Sequence, residues 1–247
     1  MEWDDRAIVL GLRPHGENGA ILHVFTREHG RHPGLIKTKR YDKRMLLCTG
    51  NILRVVWRAR LFDHLGSYVV TEPLDGCFNL TATDKTIVNV SQTMISHLSL
   101  LPDRDPHQKI FDSAVRILEK NRSCTTDFAV RDLVEFEVLF LAELGFGIDL
   151  RCCAVTGETE NLEFVSPRTG RAVTYECGLP YAQRLLRIPD FLQSEYNPSL
   201  IPQRHEIKKG LDLTGFFLEK HVWNPRGIRE PFARTSLSDM YSGMHEI

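Results

Sequence analysis

The sequence lacks the short motifs that identify several large classes of enzyme. It contains no G-x-x-x-x-G-K-[ST] loop, no G-x-G-x-x-G after a predicted strand, no H-E-x-x-H and no G-x-S-x-G. These absences argue against P-loop NTPases, dinucleotide-binding enzymes, zinc proteases of the H-E-x-x-H type and α/β-hydrolases. They do not exclude every enzyme, because catalytic triads arise by convergence on unrelated folds. A hydrolase or transferase with its site in the helical part of the chain therefore stays open as an alternative.

Long apolar segments are also missing, and no signal peptide is expected. No apolar run approaches the roughly 20 residues that span a bilayer. The N-terminus, MEWDDR, is acidic, which is not typical of a signal peptide. We therefore expect a cytoplasmic protein, and its six cysteines are expected to be reduced thiols in that compartment.

The net charge is small, at −1, but the charges are unevenly distributed. Residues 27–60 carry ten Lys or Arg against two Asp or Glu, and the stretch RHPGLIKTKRYDKRMLL at 31–47 holds six of the ten. Most runs of charge are solvated loops. The alternative is a groove that holds a polyanion, because phosphate backbones select a local basic surface on an otherwise neutral protein.

The first 80 residues have the pattern of short strands separated by turn clusters. The predicted strands are bounded by Gly, Pro or Asn and cover residues 6–13, 20–27, 32–39, 51–60 and 66–73. Five short strands in a segment of this length predict a small β-barrel. A five-stranded Greek-key barrel of the OB type fits the count and the length, and an SH3-like barrel fits nearly as well.

The segment NILRVVWRAR at 51–60 shows how this barrel separates core from surface. Successive side chains of a strand point to opposite faces. The face predicted to be core carries Leu53, Val55, Trp57 and Ala59, and the other carries Arg54, Val56, Arg58 and Arg60. Three arginines on one face, close to the basic stretch, favour a single basic surface, although arginine on a barrel exterior often only solubilises.

Beyond residue 80 the hydrophobic period changes to that of helices. Residues 81–101, with Asp84 as a candidate N-cap, and residues 108–120 have apolar positions at helical spacing. Residues 125–147 are the most apolar helical segment, which is typical of the central helix of a bundle. These segments predict an all-helical domain after the barrel.

A turn-rich segment at 148–177 interrupts the helices. Within it, LEFVS and RAVTYE are predicted to pair as a hairpin across PRTG. Helices resume afterwards, and PRGIREPFARTSL at 225–237 is predicted to be peripheral because it is basic. The predicted fold is therefore α+β in two parts, a barrel domain at 1–80 and a helical domain at 81–247 with a hairpin insert at 150–177.

Three stretches, in this order and at this spacing, carry a resemblance to a known family. They are RAIVLGLRPHGENGAILHVFTREHGRHPGLIK near the N-terminus, FEVLFLAELGFGIDLRCCAVTG in the middle of the chain, and FVSPRTGRAV after it. Together they resemble the RecO family, the bacterial recombination mediators of DNA repair, over essentially the whole chain. The resemblance implies an N-terminal OB-fold and a helical domain with an embedded module similar to a zinc ribbon.

The resemblance also implies a function and a set of partners. Such a protein binds single- and double-stranded DNA and anneals complementary strands. With RecR it helps the RecA recombinase displace the single-stranded-DNA-binding protein SSB, whose acidic C-terminal tail it binds. It is not an enzyme, and it is expected at the nucleoid in the cytoplasm. The alternative interpretation is a protein-interaction adaptor that does not bind DNA directly.

For a member of this family, the basic stretch has a physical role. Lys and Arg hold a phosphate backbone without reading its sequence, and they do so with release of counterions. The expected DNA contacts are Arg31, Lys37, Lys39, Arg40, Lys43, Arg44, Arg54, Arg58 and Arg60. Tyr41, inside the run, is expected either to stack on a base or to anchor the loop.

The zinc module is where this sequence departs from the family pattern. The resemblance implies two C-x-x-C pairs that form a four-thiolate structural site. Here the pairs read Cys153-Ala-Val-Thr156 and Thr174-Tyr-Glu-Cys177, and no histidine lies between residues 107 and 205. Cys152 is adjacent to Cys153, and neighbouring residues rarely both ligate one tetrahedral ion. We therefore expect no cofactor and a metal-free remnant, with a three-cysteine site completed by a distant histidine as the alternative.

The acidic tail of SSB ends in a hydrophobic residue, so the resemblance implies an apolar pocket with a basic rim on the helical domain. Candidates by charge and location are Arg116, Lys120, Arg122 and Arg131. The sequence does not single out any one of them.

Overall fold

The computed structural model describes residues 1–17, 19–37, 44–61, 63–73, 84–120, 125–193 and 195–243. The chain forms two compact units, Met1–Ser123 and Cys124–Ile247, and each is described by itself. The predicted two-part α+β architecture, a barrel followed by helices, is confirmed. The domain boundary expected at residue 80 lies outside the described residues, and the first compact unit also includes the two helices that follow the barrel.

The first unit begins with a closed five-stranded barrel. Its strands are β1 (Glu2–His15), β2 (Gly19–Thr26), β3 (Gly30–Lys37), β4 (Ile52–Arg58) and β5 (Ser67–Pro73). They pair in the order β1-β2-β3-β5-β4, and β1 also pairs with β4. The pairing of β3 with β5 is parallel, and the others are antiparallel. This is the arrangement of an OB-fold, the first of the two barrel types that the sequence predicted.

Alternation along β4 builds the barrel core as predicted. Leu53, Val55 and Trp57 are fully buried, and Ala59 packs partly buried against the same cluster. Their neighbours Arg54 and Arg58 are exposed. The core is tight around Trp57 and Tyr68, because a Cβ built at Gly34 would lie 2.6 Å from the ring of Tyr68.

Two helices complete the first unit, α1 (Lys85–Leu98) and α2 (Gln108–Lys120). Asp84 caps α1 as predicted, since its side chain accepts a hydrogen bond from the backbone N–H of Thr86 at 2.7 Å. The bounds of α2 agree with the predicted helix. Its residue Phe111 packs against Phe25 of β2, with ring centroids 5.9 Å apart, so that α2 covers part of the barrel exterior.

The second unit is built on α3 (Thr126–Glu143), which packs against α5 (Arg204–Leu218). The predicted hairpin forms from β6 (Leu162–Val165) and β7 (Ala172–Thr174), and β8 (Leu186–Arg187) adds a third strand. A short helix, α4 (Tyr175–Gly178), follows β7, and α5 continues as a π-helix over Glu219–Trp223. The final helix is α6 (Phe232–Ser242). The paired strands are confirmed, but their zinc-ribbon character is not.

The prediction that residues 225–237 are peripheral is wrong for Arg234. This side chain is 2% exposed and makes two hydrogen bonds to the fully buried carboxylate of Glu137, at 2.7 and 3.0 Å. It also donates to Glu230 at 2.6 Å. The basic character of the segment suggested a surface, whereas a buried acidic partner on α3 draws Arg234 into the core.

Among the described helices, none combines the length and the apolar character that crossing a bilayer requires.

Candidate nucleic-acid interface

The centre of the basic stretch lies outside the residues that the structure describes. This applies to Lys39, Arg40, Tyr41 and Lys43, and to the side chain of Arg44. Arg31 and Lys37 lie on β3, where Lys37 is exposed and Arg31 is half-buried. These two residues locate the start of the stretch on the barrel.

The arginines of β4 lie next to carboxylates of β1, a pairing that no local pattern in the sequence indicated. Glu2 and Arg58 are directly opposite each other on β1 and β4, and Arg58 donates to the Glu2 carboxylate at 2.8 Å. Arg54 is opposite Arg6 in the same ladder, and its guanidinium donates diagonally to the Asp4 carboxylate at 2.9 Å. The hydrogen bond from Arg58 lowers the pKa of Glu2, which keeps its charge in place. We call this surface, formed by Glu2, Asp4, Arg54 and Arg58, the β4 face; its positive charge is locally neutralised.

Arg60 lies beyond the end of β4. Its side chain is exposed, and the strand ends two residues before it at Arg58. It therefore does not continue the alternating face of β4 within the ladder.

The outer face of β1, β2 and β3 is different, because the basic residues on it have no carboxylate as a cross-strand neighbour within these described strands. Cross-strand partners share a face, and here Gly11 pairs with His23, His15 with Gly19, and Gly19 with Lys37. The same register puts five basic side chains on one outer surface, which we call the β1–β3 face: Arg13, His15, His23, Arg31 and Lys37. Residues 10–15, 19–25 and 31–37 contain no Asp or Glu. The arrangement is a positive surface carried on a rigid sheet.

A β-bulge helps to shape this face. The pairing of β1 with β2 shifts register between Val9 and Gly11. Beside the bulge lies a cavity of about 340 Å³, lined by Leu10, Gly11, Leu12, Arg13, His23, Arg31 and Ser99. Arg31 is fixed in it, because its guanidinium contacts the Asp103 carboxylate at 2.8 Å and donates to the Ser99 carbonyl. Arg31 is thus partly neutralised, while Arg13 and Lys37 stay exposed.

Sequence reasoning missed Arg13, His15 and His23. Arg13 and His15 stand in or beside a turn cluster, and His23 stands within an otherwise apolar strand, so no local run of charge marked them. Only the strand register brings them next to Arg31 and Lys37. The usable signal was the strand period applied to β1 and β2 together, which requires knowing how the two strands pair.

The residues expected at the SSB-tail pocket are divided between the two compact units. Arg116 and Lys120 are exposed on α2 of the first unit, and Arg122 lies outside the described residues. Arg131, on α3 of the second unit, is 4% exposed. Its guanidinium donates to Asp132 at 2.8 Å and to the carbonyl of Pro198 at 2.7 Å, so it supports the fold rather than rimming an open pocket.

The remnant of the zinc module is held by hydrogen bonds to one sulfur. Cys153 is 1% exposed, and its Sγ accepts hydrogen bonds from the backbone N–H groups of Thr174 at 3.4 Å and of Val155 at 3.5 Å. The Thr174 hydroxyl lies 3.7 Å from the same sulfur. Burial raises the pKa of the Cys153 thiol, but hydrogen bonds from Thr156, Thr174 and Val155 outweigh this and lower it to about 6.

These residues do not fit a structural zinc ion. Such sites use four thiolate or imidazole ligands, whereas two of the four expected positions here are neutral hydroxyls, Thr156 and Thr174. In the part of the chain that the structure describes, no three His, Cys, Asp or Glu side chains are grouped so as to hold a metal ion. The hydrogen bonds to Cys153 take the place that metal–sulfur bonds would have.

Comparison with known proteins gives the same family for both parts of the chain. The family model described as "Recombination protein O N terminal" matches residues 1–77, and "Recombination protein O C terminal" matches residues 97–229. The chain is 42% identical over 243 residues to a protein named "DNA repair protein RecO" from Bartonella bacilliformis, covering 98% of this chain and 97% of that protein. Proteins of the same name from Methylorubrum populi and a Bradyrhizobium species are 41% identical over 252 residues and 45% identical over 240 residues. These alignments cover 98% and 95% of this chain, and 99% and 93% of the two relatives.

Proposed function

The chain belongs to the RecO family of DNA repair and recombination proteins, and from this membership we propose that it is a mediator that binds DNA on the β1–β3 face. It holds DNA and breaks no covalent bond. The observation that carries the proposal is the β1–β3 face itself, where Arg13 and Lys37 are exposed and residues 10–15, 19–25 and 31–37 contain no Asp or Glu. A surface of this kind binds phosphates of any sequence through charge and counterion release.

The rest of the basic stretch supports the same location. Lys39, Arg40, Lys43 and Arg44 follow Lys37 closely in sequence, so the positive charge of β3 is continued by the next residues of the chain. The β4 face is a weaker candidate, because Glu2 and Asp4 offset its two arginines. DNA on that face would have to compete with ion pairs that are already formed.

The proposed activity needs no catalytic residue. Two complementary strands that are neutralised on one positive surface repel each other less and find their register faster, which accelerates annealing. Single- and double-stranded DNA both present the phosphates that such a surface binds. We propose RecR, the SSB tail and, through them, RecA as the protein partners, in keeping with the family resemblance.

One cavity in the second unit argues against a DNA path through it. It has a volume of about 890 Å³, and its walls carry four glutamates: Glu158, Glu160, Glu163 and Glu176. No Lys, Arg or His stands among the described residues that line it. A phosphate backbone is repelled by such a wall, which favours the β1–β3 face as the place where DNA is held.

The test is the anisotropy of a labelled single-stranded oligonucleotide, titrated with the protein from about 50 to 200 mM salt. Two double variants remove the same number of charges from the two faces of the barrel. Arg13→Ala with Lys37→Ala removes the exposed Arg and Lys of the β1–β3 face. Arg54→Ala with Arg58→Ala is the matched control on the β4 face. The first variant is expected to bind more weakly and to reduce the slope of log affinity against log salt by roughly 0.7 for each phosphate that it no longer neutralises.

The control variant is expected to keep a slope close to that of the unmodified protein. A larger effect of the control would move the DNA path to the β4 face. Absence of binding by the unmodified protein at low salt would reject the mediator function and leave the adaptor alternative.

A further inference from the structure

Three rings in the second unit form a nearly parallel column that ends at the surface. The rings of Phe217 and His221 have centroids 6.2 Å apart and planes inclined by 4°. The rings of His221 and Phe146 have centroids 4.5 Å apart and planes inclined by 12°. Phe217 is 2% exposed, whereas Phe146 is 40% exposed. The column therefore rises from the core and presents Phe146 to solvent.

The backbone fixes Phe146 at this position. Gly145, with φ of +85°, ends α3 in the left-handed conformation that favours glycine. The N–H of Phe146 then donates to the carbonyl of Leu141 at 2.8 Å, which ties the residue to the end of the helix. Phe217 and His221 are four residues apart where α5 passes into the π-helix, so they lie on the same side of that element. The ring column is thus held by two rigid elements.

The β6–β7 turn, which carries basic residues, packs beside the buried end of the column. Lys220 donates to the carbonyl of Pro167 at 2.7 Å, which brings the β6–β7 turn beside the π-helix. A Cβ built on Gly170 in this turn would lie 3.8 Å from the ring of Phe217. The turn is flanked by two exposed arginines, Arg168 and Arg171. Both therefore lie in the neighbourhood of the rings.

The carboxylate of Asp149 lies beside the turn and is held by arginine. Asp149 is paired with Arg151 at 2.9 Å. Hydrogen bonds from Arg151, together with the nearby charge of Arg171, lower the pKa of Asp149 to about 2. Burial and the charge of Lys220 lower the pKa of His221, so its imidazole is neutral at pH 7 and stacks as an uncharged ring. Arg151 and Arg171 act on Asp149, and Arg168 in the turn and Lys220 beside it are further cations.

We propose that Phe146, on the second unit, is a base-stacking platform for single-stranded nucleic acid, in addition to the contact proposed for the β1–β3 face of the first unit. Every base has a flat face that stacks on an aromatic ring, and Lys or Arg beside the ring bind the adjoining phosphates. A duplex does not fit this chemistry, because its base faces are already stacked within the helix. The inference rests on the proposed DNA-binding function and adds a second contact that discriminates single strands from duplexes.

The test compares two oligonucleotides of equal length, one with bases and one whose nucleotides are replaced by abasic residues. Both keep every phosphate, so the difference in affinity measures the contribution of the bases. The variant is Phe146→Leu, which keeps an apolar side chain but removes the ring. The matched control is Phe232→Leu, because Phe232 is 84% exposed on α6 of the same unit and none of the described ring contacts involves it.

In full-length protein, Phe146→Leu is expected to bind the normal oligonucleotide about fivefold more weakly, which corresponds to the lower end of one base–aromatic stack. Its affinity for the abasic oligonucleotide and for duplex DNA should not change. Phe232→Leu should behave like the unmodified protein. Phe146→Trp should restore or strengthen binding of the normal oligonucleotide, since it restores a ring, and this rescue separates stacking from a folding defect.

Other results would overturn the proposal. If the Phe146→Leu and Phe232→Leu variants bound the normal oligonucleotide with equal affinity, Phe146 would only cover the end of α3. An equal loss on normal and abasic oligonucleotides would show that the ring does not contact bases. If the unmodified protein bound neither oligonucleotide, the proposed DNA-binding function itself would fail, and that outcome is distinguishable because it does not depend on Phe146.

Discussion

The buried ion pair between Glu137 and Arg234 predicts a large and strongly non-additive loss of stability. Both side chains are almost inaccessible, at 0% and 2% exposure, and two hydrogen bonds of 2.7 and 3.0 Å join them. Removing one partner of such a pair costs about 3–5 kcal/mol, because the other charge is left buried without compensation. Replacing both partners with apolar residues of similar volume is often close to neutral.

The surroundings decide where each variant falls in this range. In Glu137→Leu, Arg234 keeps its bond of 2.6 Å to Glu230, whose side chain is 31% exposed, so the cost is expected at about 3 kcal/mol. In Arg234→Met, a fully buried carboxylate loses its bidentate cation, and the cost is expected at about 5 kcal/mol. The double variant should be more stable than the Arg234→Met single variant.

Urea unfolding of the full chain, followed by circular dichroism, measures these differences. With a slope of about 2 kcal/mol per molar urea, a loss of 3 kcal/mol moves the midpoint by roughly 1.5 M. This account would be refuted by single variants that lower the free energy of unfolding by under about 1 kcal/mol. It would also be refuted by a double variant whose loss equals the sum of the two single losses.

Three further outcomes are expected. One variant carries alanine at five basic positions, Lys37, Lys39, Arg40, Lys43 and Arg44. It should bind single-stranded DNA more weakly and with a flatter salt dependence in an anisotropy titration. Unchanged binding would show that these positions are not part of the interface. The pKa of Cys153 is about 6 in the folded chain, well below that of an unfolded thiol, so its thiolate adds stability that is present above pH 9 and is lost as the pH falls towards 6. Urea midpoints across that range should show this change in the unmodified protein and not in Cys153→Ala. Thr156→Cys with Thr174→Cys should bind one zinc ion per chain by elemental analysis after dialysis, where the unmodified protein binds none; equal zinc contents would show that threonine is not what excludes the metal.

The barrel was predictable because its signals are local. Alternation in β4 assigns Leu53, Val55 and Trp57 to the core from residues 51–60 alone. The strand order was not predictable in the same way. The parallel pairing of β3 with β5 is recorded at Leu35 and Ser67, which are far apart in the chain and have no shared sequence signal. The choice between the OB and SH3-like alternatives depended on that contact.

The charged residues were harder to assign, because their role depends on a partner from another part of the chain. Arginine is usually exposed because it is charged. Arg131 and Arg234 are nevertheless both buried, because polar partners fold next to them. Arg131 meets the carbonyl of Pro198, and Arg234 meets Glu137. Charge read along the sequence therefore overestimates the exposed positive surface of the second unit.

Strand β1 explains how the barrel of a chain with almost no net charge presents a positive face. Its first half pairs with β4 and brings Glu2 and Asp4 beside Arg58 and Arg54. After the register shift beyond Val9, its second half continues along β2 and carries Arg13 on the β1–β3 face. Glu2 and Asp4 of this strand thus offset the arginines of β4, whereas Arg13 lies where residues 10–15, 19–25 and 31–37 hold no Asp or Glu. The positions of the charged residues, rather than the net charge, set the local electrostatic potential. Moving Glu2 and Asp4 away from β4 would therefore leave the net charge of the chain unchanged and still alter which face attracts a phosphate backbone.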